Sequence, residues 1–450
     1  MKSKIGIVGL GKLGLPIACA LAKRNFSVMG IEKSRDRRIQ IQDFDSSIVE
    51  PEVLKLLRWF HDNPGSFTLG TCLPCAIHFA ETLFVILPTP SETSGAFSGK
   101  FLFQVSDHIG RILGALKENK YILIVILSTV MPGTMDKIKK IIETASNKEC
   151  GKDFDLCYSP ELVAIGSIIK TYLNPDFVII GESNSEAGKR LENIYKQLFL
   201  NNPPIIHMNY TNAEICKIAL NAYITTKISF ANTLAEICEK VPDANIDIIT
   251  STIGRDSRIG TRFFKGALGY SGYCFPRDGK ALLSLASSVN IHAPISIGTD
   301  TVNERQPERI VDWVKNLLPK DRGSIGIGIL GIAFKPDTNE IEESQGLKIA
   351  KMIADDGILV RVFDPLVEKK DLEHILYPRS NIHWGFDIEI ILKHSDIVVI
   401  ANPCKEFKDL EPEDFKKGST IIDCWRILDA PKFENQKKVK YFAIGVWSDK

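Results

Sequence analysis

The first 32 residues constrain this chain most. KIGIVGL (4–10) is a short apolar run, GLGKLG (9–14) breaks it with glycines, and an apolar, helix-forming stretch follows at once. FSVMGIE (26–32) is a second apolar run that closes on an acid. A strand, a glycine turn, a helix and a second strand make one βαβ unit, and parallel strands joined this way bury both faces of their sheet. The rhythm continues: TLFVILPTP (82–90), ILIVILST (122–129), DLCYSPE (155–161) and DFVIIGE (176–182) read as further strands of a parallel series. The texture changes between about 205 and 300. NYTNAEICKIALNAYITTKISFANTLAEICEKV (209–241) predicts one long helix, with Thr211 near its start and Pro242 at its stop. A long apolar helix between two sheets is a candidate subunit interface. After a polar linker at 315–324, with Pro319 and Gly323, strands resume at 325–334, 358–365, 395–402 and 419–426. The expected fold is α/β, with two Rossmann-like doubly wound domains joined by a helical central domain. Its boundaries are 1–204, 205–314 and 315–450.

Composition narrows the classes. A chain of 450 residues is too long for one ordinary core. A formal charge of +1 argues against a broad nucleic-acid-binding surface. Ten scattered cysteines are too sparse for a disulfide scaffold and suit a reducing cytoplasm. The N-terminus has the basic and apolar stretches of a secretory signal, but Lys12, the glycines and Pro16 interrupt it. The apolar run beginning YILIVIL at 121 is too short to span a bilayer. The expectation is a soluble cytoplasmic protein with no membrane or nucleic-acid partner. CLPC (72–75) has the C-x-x-C form but no second ligand pair, so its cysteines read as incidental. The eight histidines form no ligand motif, so no metal site is expected; Cys404 and Cys424 read as packing.

GLGKLG gains meaning from its position after a strand, at a helix start, with Glu32 about 20 residues on. Gly9 permits the tight turn, Gly11 lets backbone approach a pyrophosphate, and Gly14 allows close helix–strand packing. The helix start supplies N–H groups to phosphate. Glu32 would accept from ribose hydroxyls and repel a 2′-phosphate, which favours NAD over NADP. The competing readings are a glycine-rich turn with no ligand, and a phosphate welcomed by Lys33, Arg35, Arg37 and Arg38, which otherwise form a solvated face.

GYSGYCFPRDGK (269–280) sets Cys274 among glycines, with Asp278 four residues later. Core packing explains neither neighbour, whereas a nucleophile needs both loop freedom and acid–base help. Thr89 in LPTP, Thr129 in STVMPGT and Glu161 in YSPE follow strands, at the sheet edge where such folds bind ligands. Lys217 and Asn221 are four apart on the long helix and share a face. Lys217 is either a snorkelling surface residue or, with Asn221, a stabiliser of a developing oxyanion.

These segments, with SPEL, NPDFVIIG, AEICKIALNAY, DSRIG, VNERQ, GIAFKPDT, FDP and IIDCWR, occur in the order and spacing of one family. Along nearly its whole length the chain resembles the UDP-glucose/GDP-mannose dehydrogenase family, the nucleotide-sugar 6-dehydrogenases. The resemblance implies a four-electron oxidation of a sugar CH₂OH to a carboxylate by two NAD⁺ in turn, through a thiohemiacetal and a thioester on Cys274. Lys217 and Asn221 match residues that stabilise oxyanions, Asp278 and Glu161 match acid–base groups, and Thr129 matches a water-positioning threonine. The same resemblance places Leu10, Lys12, Leu13, Arg37, Thr89, Thr129 and Arg277 beside the fingerprint glycines in cofactor binding. It places Glu161, Leu162, Lys217, Asn221, Phe263, Phe264, Lys265, Tyr270, Lys335 and Arg426 at the nucleotide sugar. Arg258 matches an arginine that reaches the partner's substrate in family dimers. SPEL and CFPRD resemble the UDP-glucose branch, so the expected reaction is UDP-glucose to UDP-glucuronate. The alternatives are UDP-N-acetyl-hexosamine or GDP-mannose oxidation, or a weakened sensor that binds nucleotide sugar or NAD. Departures from the family pattern stand at Ile165, Ser271, Tyr273 and Glu342.

Overall fold

A computed structural model describes residues 2–116, 120–318, 325–376, 379–435 and 438–448. The expected linker positions Pro319 and Gly323 lie outside the described residues. Two compact units, 1–219 and 220–450, divide the chain.

The first unit is built on eight strands: β1 (Lys4–Val8), β2 (Ser27–Ile31), β3 (Phe67–Gly70), β4 (Thr82–Val85), β5 (Leu123–Ile126), β6 (Asp155–Tyr158), β7 (Val178–Glu182) and β8 (Ile205–Met208). Their order is β3-β2-β1-β4-β5-β6-β7-β8. β4, β5 and β6 are buried at every residue, as strands covered on both faces must be. One core forms between the sheet and the Gly14–Lys23 helix, another between the sheet and the helices Lys100–Ala115 and Thr134–Ser146.

One strand corrects the sequence reading. β7 pairs antiparallel with β6, with Cys157 opposite Glu182. The intervening segment does not cross the sheet. It turns back through a six-residue helix, Ile168–Leu173, that packs on the Gly14–Lys23 helix. A short return on the same side gives an antiparallel neighbour, whereas a parallel one needs a full crossover.

The second unit holds a parallel sheet of β9 (Gly326–Leu330), β10 (Leu359–Phe363), β11 (Ile382–Trp384), β12 (Ile397–Ile400), β13 (Thr420–Asp423) and β14 (Lys440–Ala443). Its order, β11-β10-β9-β12-β13-β14, repeats that of the first six strands of the other sheet. The likeness reaches the turns. Gly9 and Gly331 follow the first strands with φ of 95° and 89°. A Cβ on Gly14 would meet the Gly9 oxygen at 2.0 Å, and one on Gly346 the Gly331 oxygen at 2.3 Å. Both helices therefore start against their glycine turns too closely for any side chain.

The long helix runs from Tyr210 to Cys238, and Asn209 caps it by accepting from the Asn212 N–H at 2.9 Å. No helix among the described residues is long and apolar enough to cross a membrane.

Candidate active site

In the first unit the fingerprint forms a cradle. A Cβ on Gly9 would sit 2.1 Å from the Ile86 oxygen, whereas one on Gly11 would meet nothing within 4 Å. Gly9 and Gly14 are thus required by the protein's own backbone, and Gly11 faces open space that a pyrophosphate can approach. Leu10 is buried in the core, Leu13 packs beside it, and Lys12 is exposed at the rim. Glu32 accepts from the Leu10 N–H at 3.0 Å and the Ser34 N–H at 2.8 Å. A carboxylate has about four acceptor positions, so it can still receive ribose hydroxyls. The neighbouring arginines hold the loop itself. Arg37 donates to the Leu10 carbonyl at 3.1 Å and to Gln40, and Arg38 donates to the Glu32 and Lys33 carbonyls, each at 2.8 Å. Burial draws Arg37 below its ordinary proton affinity, while Glu32's charge works the other way. The NAD-type acid stands at the end of β2, and two of the basic residues that favoured a phosphate reading are engaged by backbone.

The carboxyl ends of β4, β5 and β6 carry Thr89, Thr129 and Glu161. Thr89 is buried and donates to the Thr129 carbonyl at 2.8 Å, and Ser128 donates to the Leu87 carbonyl at 2.7 Å. The loops after β4 and β5 are therefore stitched together. Glu161 follows Pro160, and burial pushes its carboxyl up to about 8 against the opposing charge of Lys217. Lys217 is itself 7% exposed, which removes the snorkelling alternative.

Two carboxylates that sequence reasoning missed fix this edge. Glu214, fully buried, accepts from the Gly133 N–H at 2.7 Å and the Met135 N–H at 2.8 Å, at the start of the Thr134–Ser146 helix. Glu50 accepts from the Gly166 N–H at 2.7 Å and the Ile168 N–H at 2.6 Å, holding the loop that carries Glu161 and Leu162. Each acid binds the orphan donors of a helix start, where a negative charge is most favoured. Glu50 and Glu214 lie more than 75 residues from their partners in sequence, so no local pattern announces them. Ile165, one of the departures from the family pattern, packs against the core.

CLPC also departs from expectation. Cys72 and Cys75 form a disulfide at the start of the Leu73–Phe79 helix. Cys72 is the cap residue of that helix and Cys75 lies three residues on, so their side chains meet across its first turn.

In the second unit Cys274 heads the Phe275–Ser288 helix, exposed, with Pro276 in its first turn. The helix start sets N–H groups and the positive end of the dipole beside the sulfur, which favours negative charge there. One turn on, Asp278 is 4% exposed; its N–H donates to the Cys274 carbonyl at 2.9 Å, and its carboxylate accepts from the Asn221 amide. Asn221 is 8% exposed. The structure thus ties the expected nucleophile, amide and acid together through one helical turn.

The glycine loop before the thiol is clamped from several sides. Gly272 has φ of 79°, and its N–H donates to the Glu342 carbonyl at 3.1 Å. Ser271 donates to the Phe334 carbonyl at 3.0 Å. The Tyr270 carbonyl accepts from Asn303 and Gln345, each at 3.2 Å, and the Tyr270 hydroxyl donates to Asp300. Tyr270 is therefore a buried strut. Tyr273 is exposed, with the Arg277 guanidinium 5.1 Å above its ring. That stack accounts for the aromatic beside the thiol: it sits one helical turn from a cation that covers it.

The remaining expected contacts are spread over the unit. Phe264 is buried and stacks on Phe230 at 6.1 Å, while Phe263 is exposed and meets Phe275 edge-on. Arg258 is exposed and pairs with Asp256 at 2.6 Å. Lys335 lines a small cavity with Asp337, Asp364 and Cys404 at the ends of β9, β10 and β12. Asp364 accepts from the Ile332 and Ala333 N–H groups, each at 2.9 Å, the counterpart of Glu32 in the first unit. Arg426 makes a bidentate pair with Asp247 at 2.7 and 2.9 Å and donates to the Gly266 and Ile444 carbonyls at 2.6 and 2.8 Å. Its guanidinium is thereby fixed beside exposed Lys265.

A fingerprint cradle with its acid, and a second sheet of the same order that repeats the turn, define a dinucleotide-binding protein built on two Rossmann-like sheets. Comparisons place it further. The three models of the UDP-glucose/GDP-mannose dehydrogenase family match in order: the NAD binding domain over residues 3–199, the central domain over 211–305 and the UDP binding domain over 328–430. The chain belongs to that family. It is 30% identical over 429 residues to a UDP-glucose 6-dehydrogenase, AglM, of Haloferax volcanii, covering 94% of this chain and 97% of that one. It is 32% identical over 374 residues to a UDP-glucose 6-dehydrogenase of Rickettsia felis, covering 81% and 79%. Its fold matches a UDP-glucose dehydrogenase structure from Pyrobaculum islandicum with a TM-score of 0.87, at 24% identity, over 100% of this chain and 98% of that one.

Proposed function

We propose that this dehydrogenase oxidises the C6 alcohol of UDP-glucose to the carboxylate of UDP-glucuronate, with Cys274 as nucleophile. The observation that carries the reading is the buried Asn221–Asp278 pair one turn into the helix that Cys274 heads. Relatives that cover most of both chains are named UDP-glucose 6-dehydrogenases, which supports this sugar over a UDP-N-acetyl-hexosamine or GDP-mannose. NAD, when bound, supplies the hydride acceptor; Gly9, Gly11, Gly14 and Glu32 hold it. The C6 alcohol first gives up a hydride and its hydroxyl proton to become the aldehyde; the Cys274 thiolate then attacks that aldehyde, a carbon–sulfur bond forms, and the carbonyl oxygen becomes an oxyanion. Asn221 donates to that oxyanion, and loss of the C6 hydrogen as hydride leaves a thioester. Water then adds, the carbon–sulfur bond breaks, and the thiolate departs. Asp278 handles the proton of that water. Lys217, Glu161 and Thr129 keep the roles the family resemblance implies, supported by the burial of Lys217 beside Glu161.

The division at 1–204, 205–314 and 315–450 is retained in this reading, supported by the separate ranges of the three family models. A homodimer through the long helix goes with it. Tyr223, Phe230 and Ile237 recur every seventh residue and are 69%, 54% and 52% exposed, an apolar stripe on one helix face. Phe230→Asp should shift the protein to monomer in light scattering; an unchanged dimer would remove that interface. A cytoplasmic location is proposed too, supported by eight cysteines outside the disulfide.

The function is tested by supplying NAD⁺ with a panel of UDP- and GDP-sugars and following NADH by absorbance. Two NADH per UDP-glucose consumed is expected. Tight UDP-sugar binding without turnover would replace the reading with a sensor, and turnover of another sugar would reassign the substrate.

A further inference from the structure

Behind Glu161 lies a cavity of about 30 Å³, lined by Glu161, Val163, Tyr172, Phe177, Tyr195 and Phe199 among others. Its walls are mostly apolar. Tyr172 meets Phe199 edge-on at 6.1 Å, and Tyr195 stacks on Phe199 at 4.9 Å. Two phenols reach this region, and the structure treats them differently. Tyr195 donates to the Ser159 hydroxyl at 2.8 Å, which in turn donates to the Ile179 carbonyl at 2.9 Å. The Tyr172 hydroxyl, on a residue 3% exposed, makes no hydrogen bond within the described residues. Buried polar atoms in folded proteins almost always find a partner, so this one asks for something the side chains do not supply.

The cavity supplies the room. A water needs about 10–15 Å³ of such space and two to four polar partners. Glu161 is partly buried and lines the cavity. Its charge is felt at the Tyr172 and Tyr195 hydroxyls, and Lys217 faces it from the long helix. Cys157, on β6, is buried in the same core as Tyr195. The side chains of Pro175 and Phe177 offer no donor.

We propose that this cavity holds a water bridging the Tyr172 hydroxyl and the Glu161 carboxyl, which makes Tyr172 a positioning residue for Glu161. Tyr172 does not touch substrate. It acts by donating, through the water, to the ionised carboxylate, and so sets the pH at which Glu161 gives up its proton. The inference rests on the reading of Glu161 as an acid–base group, but its test does not need turnover.

Tyr172→Phe removes the hydroxyl and keeps the ring. The protonated carboxyl of Glu161 is identified by infrared difference spectroscopy as the C=O band lost in Glu161→Gln. A hydrogen bond to a carboxylate favours its charged form, so removing it raises the titration midpoint. The expected shift is about half to one pH unit upward, a three- to tenfold change in proton affinity. The limb of the kcat–pH profile that depends on Glu161 moves by the same amount, which a purely structural role of Tyr172 would not cause. Near-UV circular dichroism establishes that the variant is folded; if it is not, Tyr172→Trp, which keeps an aromatic ring and offers an N–H, is titrated in its place and keeps a midpoint below that of Tyr172→Leu. An unchanged or lower midpoint in folded Tyr172→Phe overturns the bridge. A shifted midpoint in an enzyme inactive on every sugar would preserve it and reject the proposed reaction.

Discussion

Gly272→Ala tests how far the thiol depends on the loop that delivers it. Gly272 has φ of 79°, a conformation that costs an ordinary residue about 1–2 kcal/mol. Its new Cβ would stand 2.5 Å from one ring carbon of Phe334 and 2.6 Å from the next. Carbon atoms prefer about 3.5–4.0 Å, so ring or loop must give way by about 1 Å. Phe334 cannot yield independently, because its carbonyl accepts from Ser271 in the same loop and its N–H donates to the Glu340 carbonyl at 2.8 Å. The displacement therefore passes to Cys274, two residues on. A misplacement of about 1 Å at a reacting group costs on the order of 100-fold in rate. Steady-state assays with NAD⁺ and UDP-glucose should show kcat reduced by about that factor, with the helical circular dichroism retained. A kcat within about twofold of wild type, with the fold intact, would refute the claim that this clamp positions the thiol.

Gly11→Ala is the contrasting case: with nothing within 4 Å of its Cβ, stability should stay within about 0.5 kcal/mol. Calorimetric NAD affinity should nevertheless fall about tenfold or more, because the methyl group fills the approach to the pyrophosphate. Glu161 has a pH signature. Burial raises its carboxyl to about 8, so its contribution to stability is complete below the ordinary carboxyl range and is lost as pH rises through about 8. Glu161→Gln carries no charge, so its thermal midpoint should gain on wild type as pH rises from about 5 to 9; parallel midpoints across that range would count against a carboxyl raised by burial. Asn221→Ala takes a donor from buried Asp278, which should cost about 1–3 kcal/mol in urea unfolding together with a loss of kcat. An unaltered unfolding midpoint would show that the pair is not made.

What the sequence discloses follows where the strands lie. The interior strands β1, β4, β5, β6, β9, β12 and β13 stand out as apolar runs because both faces are covered, and β2 and β10 show through their buried alternate residues. β3, β8, β11 and β14 escape notice, and each is a sheet edge with partly exposed residues. An edge strand has no continuous apolar run to show. The antiparallel β7 reads like its neighbours because direction leaves no mark on composition. The site divides in the same way. Gly9, Gly14, Cys274 and Asp278 are legible because turns and helix starts restrict residue type locally. Glu50, Glu214 and the Asp247 partner of Arg426 are not, since each meets its partner only after folding. Tyr172 looks like one more core aromatic until its hydroxyl is seen without a partner among the described residues.

Cys274 is assigned the second oxidation. The most direct measurement is the ratio of NADH formed to UDP-glucose consumed by wild type and by Cys274→Ala. Wild type should give two NADH per sugar. The variant should give at most one, with aldehyde-level product and no accumulation of the acid. Two NADH per sugar at the wild-type rate in Cys274→Ala would contradict that assignment.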